Sequence, residues 1–205
     1  MEDYKAKTME SYNVHAEYFS EYFKDLTDLS RRPEFRKFFS LLNTKARILD
    51  LGCGGGDHSV WFKEQGFDVV AIDLSEKMIE IARGKKVDAR LMDIESLDFN
   101  DNEFEGIWAV TSLLHVPKRK IREVIEKLSV ILKKDGLLYV CVKEGEGERF
   151  VVDKNDESTG RFFAFWKKDE LLGYFKDKFE LKEFGRINSN NTTFLEFFFK
   201  NKKLS

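Results

Sequence analysis

The sequence predicts an α/β protein built on a doubly wound, mostly parallel sheet of seven strands. Two observations support this prediction. Apolar segments of strand length alternate with segments of helical periodicity over residues 46–142, as in folds that cover both faces of a parallel sheet with helices. The last two apolar segments, 178–186 and 193–200, have no helical segment between them. They are therefore expected to pair as an antiparallel hairpin at one edge of the sheet.

The 205 residues are expected to form one domain with four consecutive parts. In residues 1–44, apolar stripes at helical spacing, such as Tyr12, Ala16 and Phe19, predict two covering helices over 9–43. Residues 45–143 hold the first five strands, at 46–51, 68–73, 87–92, 104–110 and 137–142. Residues 144–166 combine a polar stretch, predicted to be a mobile loop or lid, with an aromatic run. Residues 167–205 hold a short helix and the final hairpin.

The helices between the strands have recognisable end signals. Gly66 is a suitable C-cap for a helix over 56–65. Ser75 is a suitable N-cap for the helix after the second strand. Pro117 suits the first turn of the helix after the fourth strand, and the pair Asp135 and Gly136 turns the chain into the fifth strand.

Composition excludes several classes of protein. A net charge of -2, with both signs interspersed, argues against a nucleic-acid partner. The sequence contains no apolar run of about 18 residues, so no membrane span is predicted. It also shows no basic segment followed by an apolar one at its start, as a secretory signal would have, so a cytoplasmic location is expected. Cys53 and Cys141 are expected to be reduced, and no spacing of cysteines and histidines predicts a metal site.

The most informative segment is the glycine-rich turn after the first strand. Gly52, Gly54 and Gly56 let the backbone approach a ligand, and Asp73 ends the next strand, where a carboxylate can accept hydrogen bonds from both hydroxyls of a ribose. A dinucleotide fingerprint requires a third glycine where Asp57 stands, and an acid there would face a pyrophosphate unfavourably. A cofactor with ribose and adenine but no phosphate fits better, and S-adenosylmethionine is one.

Residues 46–115 resemble a class I S-adenosylmethionine-dependent methyltransferase of the small-molecule branch, with a Rossmann-like fold. The resemblance rests on the glycine motif, Asp73 and a later Ser-Leu-Leu-His-Val-Pro. It implies that Asp73 binds the ribose hydroxyls, that Leu74 and Met92 sandwich the adenine, and that Asp93 accepts from the adenine amino group. The other predicted cofactor contacts are Tyr12, Asp50, Gly52, Cys53, Gly54, Ile94, Ala109 and Val110. Asp50 is equally expected to pin the glycine turn.

Methyl transfer is an in-line displacement, so positioning supplies much of its catalysis and a base is needed only for an acceptor that must lose a proton. His115 is the candidate base, with a purely structural role in its loop as the alternative. The predicted acceptor is a small molecule, and the aromatic residues expected around it are Tyr12, Tyr18, Phe162, Phe163 and Trp166. Neither the acceptor atom (O, N, S or C) nor the oligomeric state follows from the sequence.

Two alternative functions stay open at this point. One is a nicotinamide-dependent oxidoreductase, which the missing third glycine disfavours. The other is a non-catalytic module that binds S-adenosylmethionine as a sensor, because methyl transfer requires few diagnostic side chains.

Overall fold

A computed structural model describes residues 2–25, 33–153, 156–189 and 191–203. Three helices precede the first strand: α1 (Asp3–Val14), α2 (Ala16–Asp25) and α3 (Pro33–Ser40). The predicted helical cover is present, but it begins six residues earlier than predicted, and its first helix is divided at His15, which ends α1. The part of the predicted cover at residues 26–32 lies outside the described residues.

The sheet and its connecting helices follow the predicted alternation. In chain order the elements are β1 (Arg47–Leu51), α4 (Asp57–Glu64), β2 (Asp68–Asp73), α5 (Glu76–Gly84), β3 (Asp88–Leu91), β4 (Phe104–Val110), α6 (Ile121–Ile131), β5 (Leu132–Lys143), β6 (Glu148–Asp153), β7 (Asp156–Ala164), α7 (Lys168–Phe175), β8 (Phe179–Ser189) and β9 (Thr192–Asn201). The main sheet has seven strands in the order β3-β2-β1-β4-β5-β9-β8. The first five strands are parallel, and β9 pairs antiparallel with both β5 and β8, which confirms the predicted fold class.

Strand β4 shows why the central strands read as continuously apolar. Trp108 is fully buried on one face, in a cluster with Phe38 of α3 and Tyr139 of β5. Its neighbours Ile107 and Ala109 point to the other face, in the cluster that includes α6 and α7. Because successive side chains of a strand point to opposite faces, a strand covered on both sides needs apolar residues at every position.

The segment after β5 is the main departure from the sequence prediction. The predicted loop at 144–160 is largely a β-hairpin, in which β6 pairs antiparallel with β7 as a separate two-stranded sheet. Helix α1 packs on β7. The hairpin was missed because its outer residues are mostly charged, and its apolar residues Phe150 and Val152 are exposed at 42% and 54%, so no buried strand pattern is visible.

Two adjacent phenylalanines of α3 provide a matched test of the core. Phe38 is fully buried against Trp108, whereas Phe39 keeps 37% of its surface exposed. Phe38→Ala is expected to lower the free energy of unfolding by about 3–5 kcal/mol, because it leaves a cavity in a close-packed core. Phe39→Ala is expected to cost less than half as much. Urea denaturation of both variants measures the difference, and equal losses would contradict the assigned packing.

Candidate active site

Asp73 joins the glycine turn to the start of α5. Its Oδ2 accepts from the backbone N–H of Gly54 at 2.9 Å, and its Oδ1 accepts from the N–H of Ser75 at 2.9 Å. Burial raises the pKa of Asp73, and these backbone donors oppose that shift. Each carboxylate oxygen has two lone pairs, so both can accept a further hydrogen bond. The carboxylate is thus positioned to bind a diol while it holds the turn.

Gly52 and Gly54 differ in the space around them, although both have a left-handed backbone. Gly52 has φ +76°, and a Cβ there would lie 2.4 Å from the Cβ of Ser112, so the turn packs directly on the segment after β4. Gly54 has φ +52°, but a Cβ there would meet no atom within 4 Å. Both backbones adopt left-handed values that favour glycine. The space beside Gly54 therefore lies open next to the Asp73 carboxylate.

Asp50 is 2% exposed at the end of β1. Its Oδ2 accepts from the Ser59 hydroxyl at 2.6 Å, so the carboxylate ties β1 to α4. The backbone of Ser59 also donates to Asp50, so the start of α4 supplies the partners that the structure shows, and the predicted contact of Asp50 with the cofactor stays a prediction. Burial, with the charge of Asp73 as a smaller contribution, raises the pKa of Asp50 to about 7.

The residues predicted to hold an adenine lie together at the ends of β2 and β3. Leu74, Met92 and Ile94 are half-buried, and the backbone N–H of Met92 donates to the carbonyl of Asp73 at 3.0 Å. Asp93 accepts from the N–H of Glu95 with one oxygen and from Lys5 Nζ at 2.6 Å with the other.

This ion pair is a contact that the sequence did not predict. Through it, the beginning of α1 is bound to the predicted adenine side of the site, and a base bound there would share Asp93 with Lys5.

The ends of β1 and β4 form the third side of the site. Ala109 is fully buried, and Val110 and Cys53 are half-buried. Burial raises the pKa of the Cys53 thiol, which keeps it protonated. Ser112, which packs on Gly52, is 4% exposed, and its hydroxyl has no hydrogen-bond partner among the described residues. An unpartnered buried hydroxyl is costly, so a ligand atom at this position would stabilise it.

Tyr12 of α1 and His115, which follows β4, form a hydrogen-bonded pair. His115 Nδ1 lies 2.6 Å from the carbonyl oxygen of Phe162, and because a carbonyl can only accept, Nδ1 carries the proton. In the neutral imidazole Nε2 then accepts from the Tyr12 hydroxyl, 3.0 Å away. Burial lowers the pKa of His115 to about 3, and the nearby charges of Arg161 and Lys143 add to the shift.

Arg161 on β7 lies beside this pair, and the sequence did not identify it. Its side chain stands over the rings of Phe19 and Tyr12, and it forms an ion pair with Asp153 at 2.8 Å. Asp153 is 7% exposed and also accepts from the Ser11 hydroxyl at 2.6 Å. Because a buried carboxylate is costly without partners, Asp153 depends on the groups that donate to it, which are on α1 and on β7. These hydrogen bonds hold the hairpin against α1.

The aromatic residues predicted around an acceptor divide into two groups. The ring of Phe163 lies 4.9 Å from the ring of His115, and Phe162 supplies the carbonyl that His115 contacts. Tyr18 is 50% exposed, and Trp166 is fully buried in the core. Among these, Tyr12, Phe162 and Phe163 are therefore the ones that the fold brings to His115.

The described residues fit S-adenosylmethionine better than a metal ion. The open space at Gly54, the Asp73 carboxylate and the unpartnered Ser112 hydroxyl offer a close-approach surface, a diol acceptor and a free hydrogen-bonding group. Within the described ranges, no group of three or more His, Cys, Asp or Glu side chains is placed to hold a metal ion. The described helices also include none with the length and apolar character needed to cross a membrane.

Part of the chain resembles known methyltransferases in sequence. Residues 48–136 match a family model described as a methyltransferase domain. The chain is 30% identical, over 146 residues, to a ubiquinone biosynthesis O-methyltransferase of Dechloromonas aromatica (strain RCB); the match covers 63% of this chain and 62% of that protein. Across the first three curated relatives, the chain spans only 37% to 62% of the relative's length.

Solved structures agree at the level of the fold. A 1,6-didemethyltoxoflavin-N1-methyltransferase of Burkholderia thailandensis, with 1,6-didemethyltoxoflavin and S-adenosylhomocysteine bound, has a TM-score of 0.66 at 19% identity, over 96% of this chain and 91% of that chain. An S-adenosylmethionine-dependent methyltransferase of Clostridium acetobutylicum ATCC 824 has a TM-score of 0.71 at 17% identity, over 94% of this chain and 100% of that chain.

The protonation state of His115 gives a testable consequence. Its pKa of about 3 means that the imidazole stays neutral, with the proton on Nδ1, throughout the range from pH 5 to pH 8. Nitrogen-detected NMR of the folded protein should show no titration of His115 there, whereas the urea-unfolded chain should titrate near its ordinary value of about 6.5.

The lowered pKa of His115 also makes the free energy of unfolding depend on pH. Because the unfolded state binds more protons in this window, stability is lost as the pH falls from about 6.5 towards 3. A folded-state titration of His115 near neutral pH would contradict the assigned hydrogen bonds.

Proposed function

We propose that this chain is a class I S-adenosylmethionine-dependent methyltransferase, which transfers the methyl group of that cofactor to a small-molecule acceptor. The family assignment predicted from the glycine motif and Asp73 agrees with the matched domain over residues 48–136 and with the fold. The chain spans only part of the length of these curated relatives, so their activity does not by itself carry over to it. Methyl transfer by this chain is therefore a proposal.

The observation that best supports the proposal is the arrangement of Asp73 and Gly54. The backbone of Gly54 donates to Asp73 at 2.9 Å, and the space above Gly54 is open. An adenosine placed in that space would have its ribose diol against the carboxylate and its base against Leu74 and Met92. The unpartnered hydroxyl of Ser112 lies beside Gly52 in the same turn, and the amino-acid portion of the cofactor is proposed to contact it there.

When bound, S-adenosylmethionine supplies an electrophilic methyl carbon on a positively charged sulfur. The residues of this chain are proposed to hold that carbon in line with an acceptor lone pair and to exclude water. The Asp73 carboxylate would favour a cationic ligand, whereas Asp50, whose pKa is raised to about 7, would contribute only part of a negative charge at neutral pH.

The structure changes the role proposed for His115. A neutral imidazole whose pKa is about 3 is a weak base at neutral pH, and Arg161 and Lys143 disfavour its protonation further. Its Nε2 instead accepts from Tyr12. We therefore propose that His115 acts as a positioning residue that orients the Tyr12 hydroxyl, in place of the general base that the sequence suggested.

The alternatives are weaker on the same observations. Asp57 stands at the position of the third glycine of a dinucleotide fingerprint and pairs with Lys85 at 2.8 Å, which leaves an acid where a pyrophosphate would be expected. A non-catalytic binding module has the same cofactor contacts as an enzyme, so only turnover separates the two.

Turnover is tested with radiolabelled S-adenosylmethionine and a fractionated small-metabolite extract. We expect label to enter a small molecule while an equal amount of S-adenosylhomocysteine forms. Saturable cofactor binding without transfer to any fraction would favour the binding module. Absence of cofactor binding, together with saturable NAD binding, would favour the oxidoreductase.

Asp73→Ala is expected to weaken binding of S-adenosylhomocysteine by about 1–3 kcal/mol, the range for lost hydrogen bonds to a buried charged group. Isothermal titration calorimetry measures the change, and thermal melts check folding, because Asp73 also holds Gly54 and Ser75. Asp68→Ala is the control, since it removes an exposed acid from the other end of the same strand. Unchanged affinity in a folded Asp73→Ala protein would remove the ribose assignment.

Tyr12→Phe and His115→Ala should have similar effects on turnover if His115 acts only through the Tyr12 hydroxyl. Both are expected to lower kcat on an identified acceptor, and the double variant should lose little more than either single variant, because the two groups act as a unit. Steady-state kinetics of the four proteins measure the coupling. Full turnover by His115→Ala would exclude any catalytic contribution from it.

A further inference from the structure

The half-buried side chain of Lys143 carries a positive charge close to His115. Lys143 ends β5, and its Nζ lies 3.9 Å from the centre of the Phe163 ring, the same ring that packs against His115. Among the described residues, Lys143 forms no ion pair and no hydrogen bond through this group. A partly desolvated cation without a carboxylate is unfavourable, even over an aromatic ring, so its position against Phe163, next to His115, points to a ligand.

The charged groups around Phe163 are predominantly positive. Arg161 lies 5.5 Å from the centre of the same ring, and Arg149 stacks on the neighbouring Phe165 at 3.7 Å. The acid in this cluster is Asp153, which pairs with Arg161 at 2.8 Å. In the described part of this cluster, one carboxylate stands against three cations, which leaves an excess of positive charge. Desolvation, followed by repulsion from Arg161 and Arg149, lowers the pKa of Lys143 to about 8.

The cofactor side of the site has the opposite character. Asp73 ends β2, Asp50 precedes the last residue of β1, and Asp93 follows the end of β3 by two residues. Lys5 pairs with Asp93, and the pKa of about 7 leaves Asp50 partly ionised at neutral pH, so Asp73 is the main negative charge on this side. A cationic sulfonium is therefore favoured near the acids and disfavoured near Lys143. An acceptor that carries negative charge would sit between the sulfonium and Lys143 with favourable interactions on both sides.

We propose that the acceptor is a small anion with an apolar or planar body, such as an aromatic carboxylate or an aryl phosphate, and that Lys143 binds its charged group beside Phe163 and His115. This inference rests on the proposed methyltransferase function, since it places the anion next to the cofactor site. Arg161 adds long-range attraction and keeps Asp153 neutralised. The anion would provide the counter-charge that the protein does not give to Lys143.

The test uses matched probes that differ in charge. Benzoate is compared with benzamide, and phenyl phosphate with phenol, by isothermal titration calorimetry with and without saturating S-adenosylhomocysteine. At least one anion is expected to bind saturably and about ten-fold more tightly than its neutral partner, as for one charge-assisted hydrogen bond. Equal binding within both pairs, or no saturable anion binding up to millimolar concentrations, would overturn the proposal.

Variants separate a binding role from a structural one. Lys143→Met is expected to reduce the affinity for the anion to that for its neutral partner, while Lys143→Arg, which keeps the charge, should retain the preference. Lys168→Met is the matched control, because Lys168 lies 4.4 Å from the Phe184 ring on a different part of the molecule. Loss of the preference in Lys168→Met, or its persistence in Lys143→Met, would contradict the assignment.

The two proposals fail in different ways. Failure of S-adenosylhomocysteine to bind, with the anion preference intact, would refute the proposed function and leave Lys143 as an anion site. Cofactor binding without an anion preference would refute only the inference about the acceptor.

Discussion

The hydrogen bond from the Gly54 backbone to the Asp73 carboxylate is the interaction on which the rest of the site depends. It connects two strands that are parallel neighbours, with Leu51 in register with Ile72, so the turn after β1 and the acid after β2 meet at one edge of the sheet. The second oxygen of Asp73 receives the N–H of Ser75, the N-cap residue of α5. One half-buried carboxylate thereby fixes the glycine turn and the start of a helix, and these backbone donors offset the cost of its partial desolvation.

The cover over this edge comes from parts of the chain that are far apart in sequence. Helix α1 is bound at one end through Lys5 to Asp93, and in its last turn Asn13 accepts from the Ser75 hydroxyl at 2.6 Å. The β6–β7 hairpin packs on the same helix, where the Ser11 hydroxyl reaches Asp153. The sheet edge and the β6–β7 hairpin thus both make polar contacts with α1. A shift of α1 towards one of them would leave polar groups of the other unsatisfied.

This assembly separates charge across a short distance. The carboxyl ends of β1, β2 and β3 present acids, while the end of β5 and strand β7 present Lys143 and Arg161. His115 lies beside the two cations and stays neutral, because burial and these charges oppose its protonation. The Tyr12 hydroxyl, from which it accepts a hydrogen bond, interacts electrostatically with both Arg161 and Asp73. The site is therefore arranged to hold unlike charges side by side, and the neutral pair of Tyr12 and His115 occupies the boundary between them.

The sequence by itself determined the sheet, the glycine turn and the acid at the end of β2. These depend on local signals: apolar runs of strand length, glycines where the backbone is left-handed, and Ser75 as a helix cap. Only the tertiary structure decided that residues 148–164 form a hairpin, that Ser59 is the partner of Asp50, and that Lys143 and Arg161 join His115. Those contacts link residues distant in the chain, and charged side chains leave no periodic pattern from which such pairings can be read.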